Sequence, residues 1–349
     1  MRKKSTKPTI KDIAAMCNVS TQTVSRVINK RHDVAPETRE LVEKAIAEMN
    51  YHPSMLARSL VKQRSNTIGV ILAGLNFLGV SQTLNGIAGE CENNGYTLVV
   101  KELPTFDTPN FLPVIESLIS HQVEGIIFAA PELNDNVTKA QAQLPPSCPP
   151  IIFLKCHPNP AFTTISIDNR GGAYNAVKYL TSIGRKQIAL ITGPLEWLES
   201  RQRKVGWEEA LRDSGIDPLS CNWREGQWTS SSGEAAISDL YAIFPGMDAV
   251  FVSNDQMALG VLHYAAQHGI RVPEELAVIG FDDIAEAAFF SPSLSSTTHP
   301  LRELGSLAVK NLMDQIEGKR TSKSHYEIVL PTQLILRGST PRREHIAHR

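Results

Sequence analysis

Apolar residues near the start of the chain recur at helical spacing in three short bursts. Ile10, Ile13, Ala14 and Cys17 share one face of a first helix, with Thr9 placed to cap it and Asp12 in its first turn, where negative charge suits the helix dipole. Asn18-Val19-Ser20 interrupts the period as a tight turn. Ser20 then caps a second helix predicted over 21–28, with Val24, Val27 and Ile28 inward and Thr21, Gln22, Ser25, Arg26 and Asn29 outward. A third starts near Pro36, a favoured first-turn residue, and carries Leu41, Val42, Ala45, Ile46 and Met49 towards Asn50-Tyr51.

Beyond Thr67 the pattern becomes apolar runs alternating with amphipathic stretches. Strands are predicted at 68–72, 96–101, 125–129, 151–154, 163–167, 188–192, 249–253 and 277–281, with helices such as 171–182 and 254–268 between them. This alternation predicts an α/β fold of doubly wound parallel sheets, and so many strands suit two sheets better than one. The segment Ser54–Leu60 after Pro53 is too short to be a stable helix alone.

Charge sharpens the division. Residues 1–64 hold 13 Lys+Arg against 6 Asp+Glu, a net +7, which leaves 22 against 30, a net −8, for the rest. A basic end on an acidic body suits phosphate binding at that end. The basic N-terminus leads into polar residues, so no secretory signal is expected, and no apolar run is long enough to span a bilayer. The five cysteines, Cys17, Cys91, Cys148, Cys156 and Cys221, are scattered and form no CxxC pair, which argues against a disulfide framework and a zinc site. A cytoplasmic location follows, with no metal, no cofactor and no membrane partner expected.

Two short helices joined by a tight turn form a helix-turn-helix, whose second helix enters the major groove N-terminus first. Thr21, Gln22 and Arg26 then stand where side chains reach base edges; Gln pairs bidentately with adenine and Arg with guanine. In open α/β sheets ligands bind beyond the carboxyl ends of the strands. Those positions hold Ala73, Lys155, Asp168, Arg203, Trp228, Asn254-Asp255 and Asp282-Asp283. Arg203, Asn254 and Asp282 offer paired hydrogen bonds to neighbouring hydroxyls, and Trp228 offers an aromatic face, the kit that a sugar requires.

Residues 8–64 resemble the DNA-binding headpiece of the lactose repressor family, above all in Gln22-Thr23-Val24-Ser25-Arg26-Val27-Ile28-Asn29, and the likeness continues more loosely to about residue 340. It rests there on Gly193-Pro194-Leu195, Glu225-Gly226-Gln227-Trp228, Ser253-Asn254-Asp255 and Gly280-Phe281-Asp282-Asp283. The resemblance implies a transcriptional repressor with a headpiece over 8–52, a hinge helix and linker over 53–65, and a two-lobed effector and dimerisation domain over 66–340, resembling periplasmic binding proteins. The first lobe would comprise 66–167 and 299–327, the second 168–298 and 328–340, with crossings near Asp168, Thr298 and Glu327–Val329. It implies that Ile10 braces the first helix on phosphate and that Leu60 is a minor-groove wedge, which kinks DNA. Ala73, Phe77, Lys155, Glu199, Arg203, Trp228, Asn254, Asp282 and His299 would line the effector site, and Leu301 would match a crossover position.

Two positions depart from the pattern: Lys155 replaces an acidic ligand residue, and Glu199 replaces a serine. Lys155 could pair with Glu199 or with an acidic group on the effector. The tail 341–349 carries no heptad pattern, so a homodimer on a near-palindromic operator is expected. Release of DNA on binding a carbohydrate effector is the direction expected.

An enzyme is disfavoured because GxSxG, a Walker A loop and a GxGxxG opening the first βα unit are all missing. A periplasmic solute-binding protein would share the two lobes, yet it would need an export signal and would have no use for residues 1–64.

Overall fold

A computed structural model describes residues 8–29, 31–51, 64–106, 108–218, 222–319 and 326–341. The chain divides into two compact units, Met1–Asn66 and Thr67–Arg349.

Among its described residues the first unit has three helices, α1 (Ile10–Met16), α2 (Thr21–Ile28) and α3 (Pro36–Glu48). Their starts are fixed locally. The Asp12 carboxylate accepts from both the backbone N–H and the hydroxyl of Thr9 at 2.7 Å, and these bonds hold its pKa below the usual carboxylate value. Ser20 Oγ accepts from the Thr23 N–H at 3.0 Å, satisfying one of the free amides of the first turn of α2. Ile13, Ala14, Cys17, Val24, Val27, Val42 and Ala45 form the core between the helices. The hinge segment predicted over 54–60, Leu60 included, lies outside the described residues, as does most of the tail.

Among its described residues the second unit contains two six-stranded sheets. The first joins β1 (Thr67–Leu72), β2 (Thr97–Glu102), β3 (Gly125–Phe128), β4 (Ile151–Leu154), β5 (Thr163–Ile167) and β11 (Glu327–Leu330) in the order β11-β5-β4-β3-β1-β2, all parallel. The second joins β6 (Ile188–Thr192), β7 (Trp223–Glu225), β8 (Ala249–Val252), β9 (Ala277–Asp282), β10 (Ser295–Thr298) and β12 (Leu334–Ile335) in the order β12-β10-β9-β8-β6-β7. Among the described strands of this sheet, β12 alone runs antiparallel to its neighbour.

Central strands of both sheets are buried on both faces, which explains their unbroken apolar runs. In β1, Ile68, Val70 and Leu72 enter one core while Ile71 enters the other. In the second sheet Val250 and Val252 face one core, and Ala249 and Phe251 the opposite one. Helices cover these faces. Leu78–Asn93 (α4) and Leu301–Ile316 (α11) pack together beside the first sheet, Asn169–Ser182 (α7) and Leu198–Arg212 (α8) beside the second, with Ser230–Ile243 (α9) and Asp255–Gln267 (α10) on its other side. Leu112–Ser120 (α5) and Asn136–Ala142 (α6) complete the first lobe. No helix among the described residues is long and apolar enough to cross a membrane.

The chain passes between lobes after β5, after β10 and after β11. The last passage corrects the expectation. It falls beyond Leu330 and not near Glu327–Val329, because Glu327–Leu330 pairs with Thr164–Ile167 and buries Leu330 in the first-lobe core. Residues 328–330 therefore belong to the first lobe. Strand β10 was not expected either, since Ser295-Ser296-Thr297-Thr298 is polar. Its Ser295, Ser296 and Thr297 are nonetheless buried, and the Ser296 hydroxyl donates to Asp255 Oδ1 at 2.6 Å.

Candidate functional site

On the first unit, Thr21, Gln22 and Arg26 are exposed on α2, while Ser25 and Asn29 are half-buried. Arg26 lies 3.6 Å from Asp33, and both side chains are about half exposed, so this ion pair holds the guanidinium only loosely. The Asn29 amide donates back to the Ser25 carbonyl at 2.7 Å, which turns it along the helix. Ile10 is half-buried against the helical core and presents the rest of its surface outward.

On the second unit, a cleft between the lobes encloses about 440 Å³, counting solvent at its mouth. Seven of the expected residues line it: Phe77, Lys155, Glu199, Arg203, Trp228, Asn254 and Asp282, with His299 as an eighth. Ala73 does not; it is 1% exposed and packs in the first-lobe core with Ile71 and Phe128, because it stands two residues after Ile71 and so falls on the same face of the sheet. Leu301 likewise belongs to the first-lobe core.

Each polar group in the cleft is set by a strand end or a helix start. Asn254 follows β8 and caps α10, its Oδ1 accepting from Met257 N–H at 2.8 Å, while its amide donates to the Trp228 carbonyl at 3.0 Å. It thereby fixes the indole-bearing turn. Arg203 projects from α8 beneath the cleft. Its Nε donates to Asn169 Oδ1 at 2.9 Å, its Nη1 donates to the Ser253 carbonyl, and its guanidinium lies 3.8 Å from the centre of the Phe281 ring. Asp282 sits 3.9 Å from Arg203 Nη1 and accepts from His299 Nδ1 at 2.9 Å. That bond places the ring proton on Nδ1 and leaves Nε2 as an acceptor. Burial lowers the His299 pKa, so the ring is neutral at neutral pH.

Backbone strain gathers at the same place. Lys155, Trp228 and Asp282 hold positive φ of 53°, 63° and 114°, conformations that cost side-chain-bearing residues of order 1–3 kcal/mol each and that collect at ligand sites. Polar atoms without partners gather there as well: Glu199 Oε1, His299 Nε2 and the Trp228 indole N–H are all buried and unpaired. A buried polar group without a protein partner is costly, and in a solvent-lined cleft its partner is a water or a ligand.

The sequence reading missed Trp197. This residue is 6% exposed and lines the cleft, between Phe77 at 5.4 Å, Phe106 at 5.1 Å and Trp228 at 5.7 Å, all edge-on. Its place after β6 and at the start of α8 was the available signal, since that is a strand-end position like the others.

Residues 177–340 match the profile of the periplasmic binding protein-like domain, and residues 9–54 match that of bacterial regulatory proteins of the lacI family. The chain is 33% identical over 342 residues to the HTH-type transcriptional repressor CytR of Escherichia coli, covering 97% of this chain and 98% of that protein. It is 31% identical over 336 residues to the lactose operon repressor of Escherichia coli, covering 95% and 90%. The crystal structure of the lac repressor dimer bound to operator and the anti-inducer ONPF superposes with a TM-score of 0.83 at 30% identity, covering 96% of this chain and 99% of that one. With a helix-turn-helix at one end, two parallel-sheet lobes enclosing a polar cleft, and relatives matched over nearly their whole length, this chain belongs to the lacI family of bacterial regulatory proteins.

Proposed function

We propose that the protein is a transcriptional repressor that binds a near-palindromic operator as a homodimer in the cytoplasm and is controlled by a small carbohydrate-like effector held between its lobes. The observation that carries the effector half is the set of buried, unpaired polar atoms in the cleft, Glu199 Oε1, His299 Nε2 and Trp228 Nε1, beside the aromatic wall of Phe77, Trp197 and Trp228. Hydroxyls both donate and accept, so one sugar ring supplies every kind of bond these atoms lack. A concave, partly aromatic lining with a few convergent polar groups is the usual build of a small-ligand site.

The DNA half rests on α2. Thr21, Gln22 and Arg26 read base edges, with Ser25 and Asn29 beside them on the same face and Ile10 against the phosphate backbone. Leu60, from the hinge, is the minor-groove wedge. The relatives named above are repressors, and one was crystallised on its operator, which supports the same role here.

Control follows from linkage. A ligand that touches both lobes favours the arrangement in which both sets of contacts are made, and it shifts operator affinity by the difference in its own affinity for the two arrangements. Binding of effector releases the operator. The polar groups of the cleft are read as binding rather than catalytic groups, because Arg203, Asp282 and His299 are engaged in fixing one another.

The test is selection of preferred duplexes from a random pool, followed by fluorescence anisotropy with candidate sugars. Selected sites should be near-palindromes whose binding weakens steeply with salt. An equal hold on all duplexes would refute sequence-specific repression, and turnover of any sugar by the purified protein would refute the binding-only reading.

A further inference from the structure

Four charged side chains face the cleft, two of each sign: Lys155 and Arg203, Glu199 and Asp282. Arg203 and Asp282 stand 3.9 Å apart and are fixed by neighbours of their own. Lys155 and Glu199 are different. Lys155 follows β4 in the first lobe and is 4% exposed; Glu199 opens α8 in the second and is 8% exposed. Among the described residues, no ion pair within 4.0 Å joins them, and Glu199 Oε1 meets no hydrogen-bond donor. A lysine and a glutamate therefore line the cleft from opposite lobes, both buried; burial lowers the lysine pKa, and Glu199 is the first of the charges that raise it again.

Their surroundings specify what fits between them. Glu199 Oε1 and His299 Nε2 lie 4.0 Å apart, and both are acceptors, so that corner needs two donors, which adjacent hydroxyls supply. The Trp228 N–H needs an acceptor, and the Lys155 amine, which lines the same cleft, brings further N–H donors. A carboxylate on the ligand would meet Lys155 but would bring like charge towards Glu199 and Asp282. A phosphate, with more charge, would do so more strongly. A hydroxyl accepts from the lysine, donates to the glutamate and leaves the charge of the walls balanced. Although the lysine taken alone invites an acidic ligand, the glutamate facing it cancels that invitation.

We propose that the effector is an electrically neutral polyhydroxylated molecule, one hydroxyl of which bridges Lys155 of the first lobe and Glu199 of the second, and that this pair excludes the corresponding sugar acids and sugar phosphates. The proposal rests on the effector reading above and names its ligand class. It also makes the pair the point where ligand chemistry holds the two lobes together.

The experiment is a thermal-shift and operator-binding series on the full chain, using matched sets of compounds. Each set holds a neutral hexose, pentose or nucleoside, its carboxylic acid where one exists, and its monophosphate. Ligand bound to the native state raises the melting temperature. The wild type is expected to respond to neutral members of at least one set and to prefer them at least tenfold over their charged counterparts. Glu199→Gln, which leaves the walls net positive, is expected to shift that ratio at least tenfold towards the acid. Lys155→Gln is expected to lose the neutral ligand at least tenfold and to gain no acid. Melting of each variant without ligand reports its folding separately. A wild type that binds an acid or phosphate as tightly as the neutral parent and releases the operator overturns the neutrality while leaving the effector reading intact. An unchanged ratio in Glu199→Gln overturns the bridging role. Absence of any response to any compound, in melting and in operator binding alike, takes down both readings.

Discussion

Leu133 of the first lobe and Trp197 of the second pair as an antiparallel β-bridge across the mouth of the cleft. Beside it the Leu198 N–H donates to the Glu132 carbonyl at 3.0 Å and the Asn134 N–H to the Glu196 carbonyl at 3.3 Å. The same residue that makes the bridge fills the aromatic contact between the lobes, so backbone and side chain close the cleft together. An element of this kind, small and made of few bonds, is suited to open and close around a ligand.

Truncation of this indole should loosen the closure. Trp197→Ala is expected to weaken effector binding at least tenfold and to speed hydrogen exchange at the Leu198 and Asn134 amides. Trp197→Phe should keep most of the binding, because it keeps an edge-on ring against Phe77 and Phe106. Unchanged exchange in Trp197→Ala would mean that the side chain does not support the bridge.

Arg203 is 2% exposed and serves Asn169, Ser253 and Asp282 at once. Arg203→Ala should abolish the effector response and leave operator binding intact. It leaves the Asn169 and Ser253 oxygens without their donor and the half-buried Asp282 without its cation, and should cost the second unit about 1–3 kcal/mol. Arg203→Lys retains the charge but has no planar fork to reach Asn169 and Ser253 together, so it should recover stability better than response. Denaturant melts and anisotropy titrations measure the two effects.

For the recognition helix, Arg26→Ala and Gln22→Ala should each weaken specific operator binding by about 1–3 kcal/mol and relax preference at one position of each half-site. Stability should hardly change, since the Arg26–Asp33 pair is exposed and Gln22 lies on the surface. Anisotropy against a set of single-base operator variants identifies the position read by each residue.

Asp255 gives a pH signature. It is fully buried beside Asp282 and Asp283, and burial first, then Asp282, pushes its pKa from 3.8 up to about 8. Between those values the folded chain holds a proton that the unfolded chain has released. The stability contributed by the neutral form is therefore complete below about pH 4 and is lost as pH rises to about 8. Asp255→Asn, which still accepts the Ile284 N–H bond, should flatten this decline. Melting temperatures of wild type and variant across the window should diverge in slope.

Close approach of α9 and α10 depends on glycine. A Cβ at Gly260 would lie 1.9 Å from the Ser230 carbonyl oxygen, and one at Gly233 would lie 2.2 Å from that of Met257. Both obstacles are backbone, which cannot turn aside. Gly260→Ala should therefore destabilise the second lobe by about 1–3 kcal/mol, despite alanine's better helix propensity, as read by chemical denaturation.

The amino-acid sequence by itself determined the helical headpiece and the existence of two parallel sheets, and the reason in both cases is local. Caps at Thr9 and Ser20, the helical period of Ile13, Val24 and Val27, and doubly buried runs such as Ile151–Leu154 are written within a few residues of one another. The sequence also drew most of the cleft residues from strand ends, because a parallel sheet opens its sites there. Tertiary structure decided the rest. Ala73 went to the core and Trp197 to the cleft, according to which way the chain turned after a strand. The polar strand Ser295–Thr298 formed because Asp255 and Ser339 met its hydrogen-bonding groups from elsewhere in the second lobe. Whether Lys155 touched Glu199 depended on the width of a gap between two lobes, and no spacing along a chain encodes that distance.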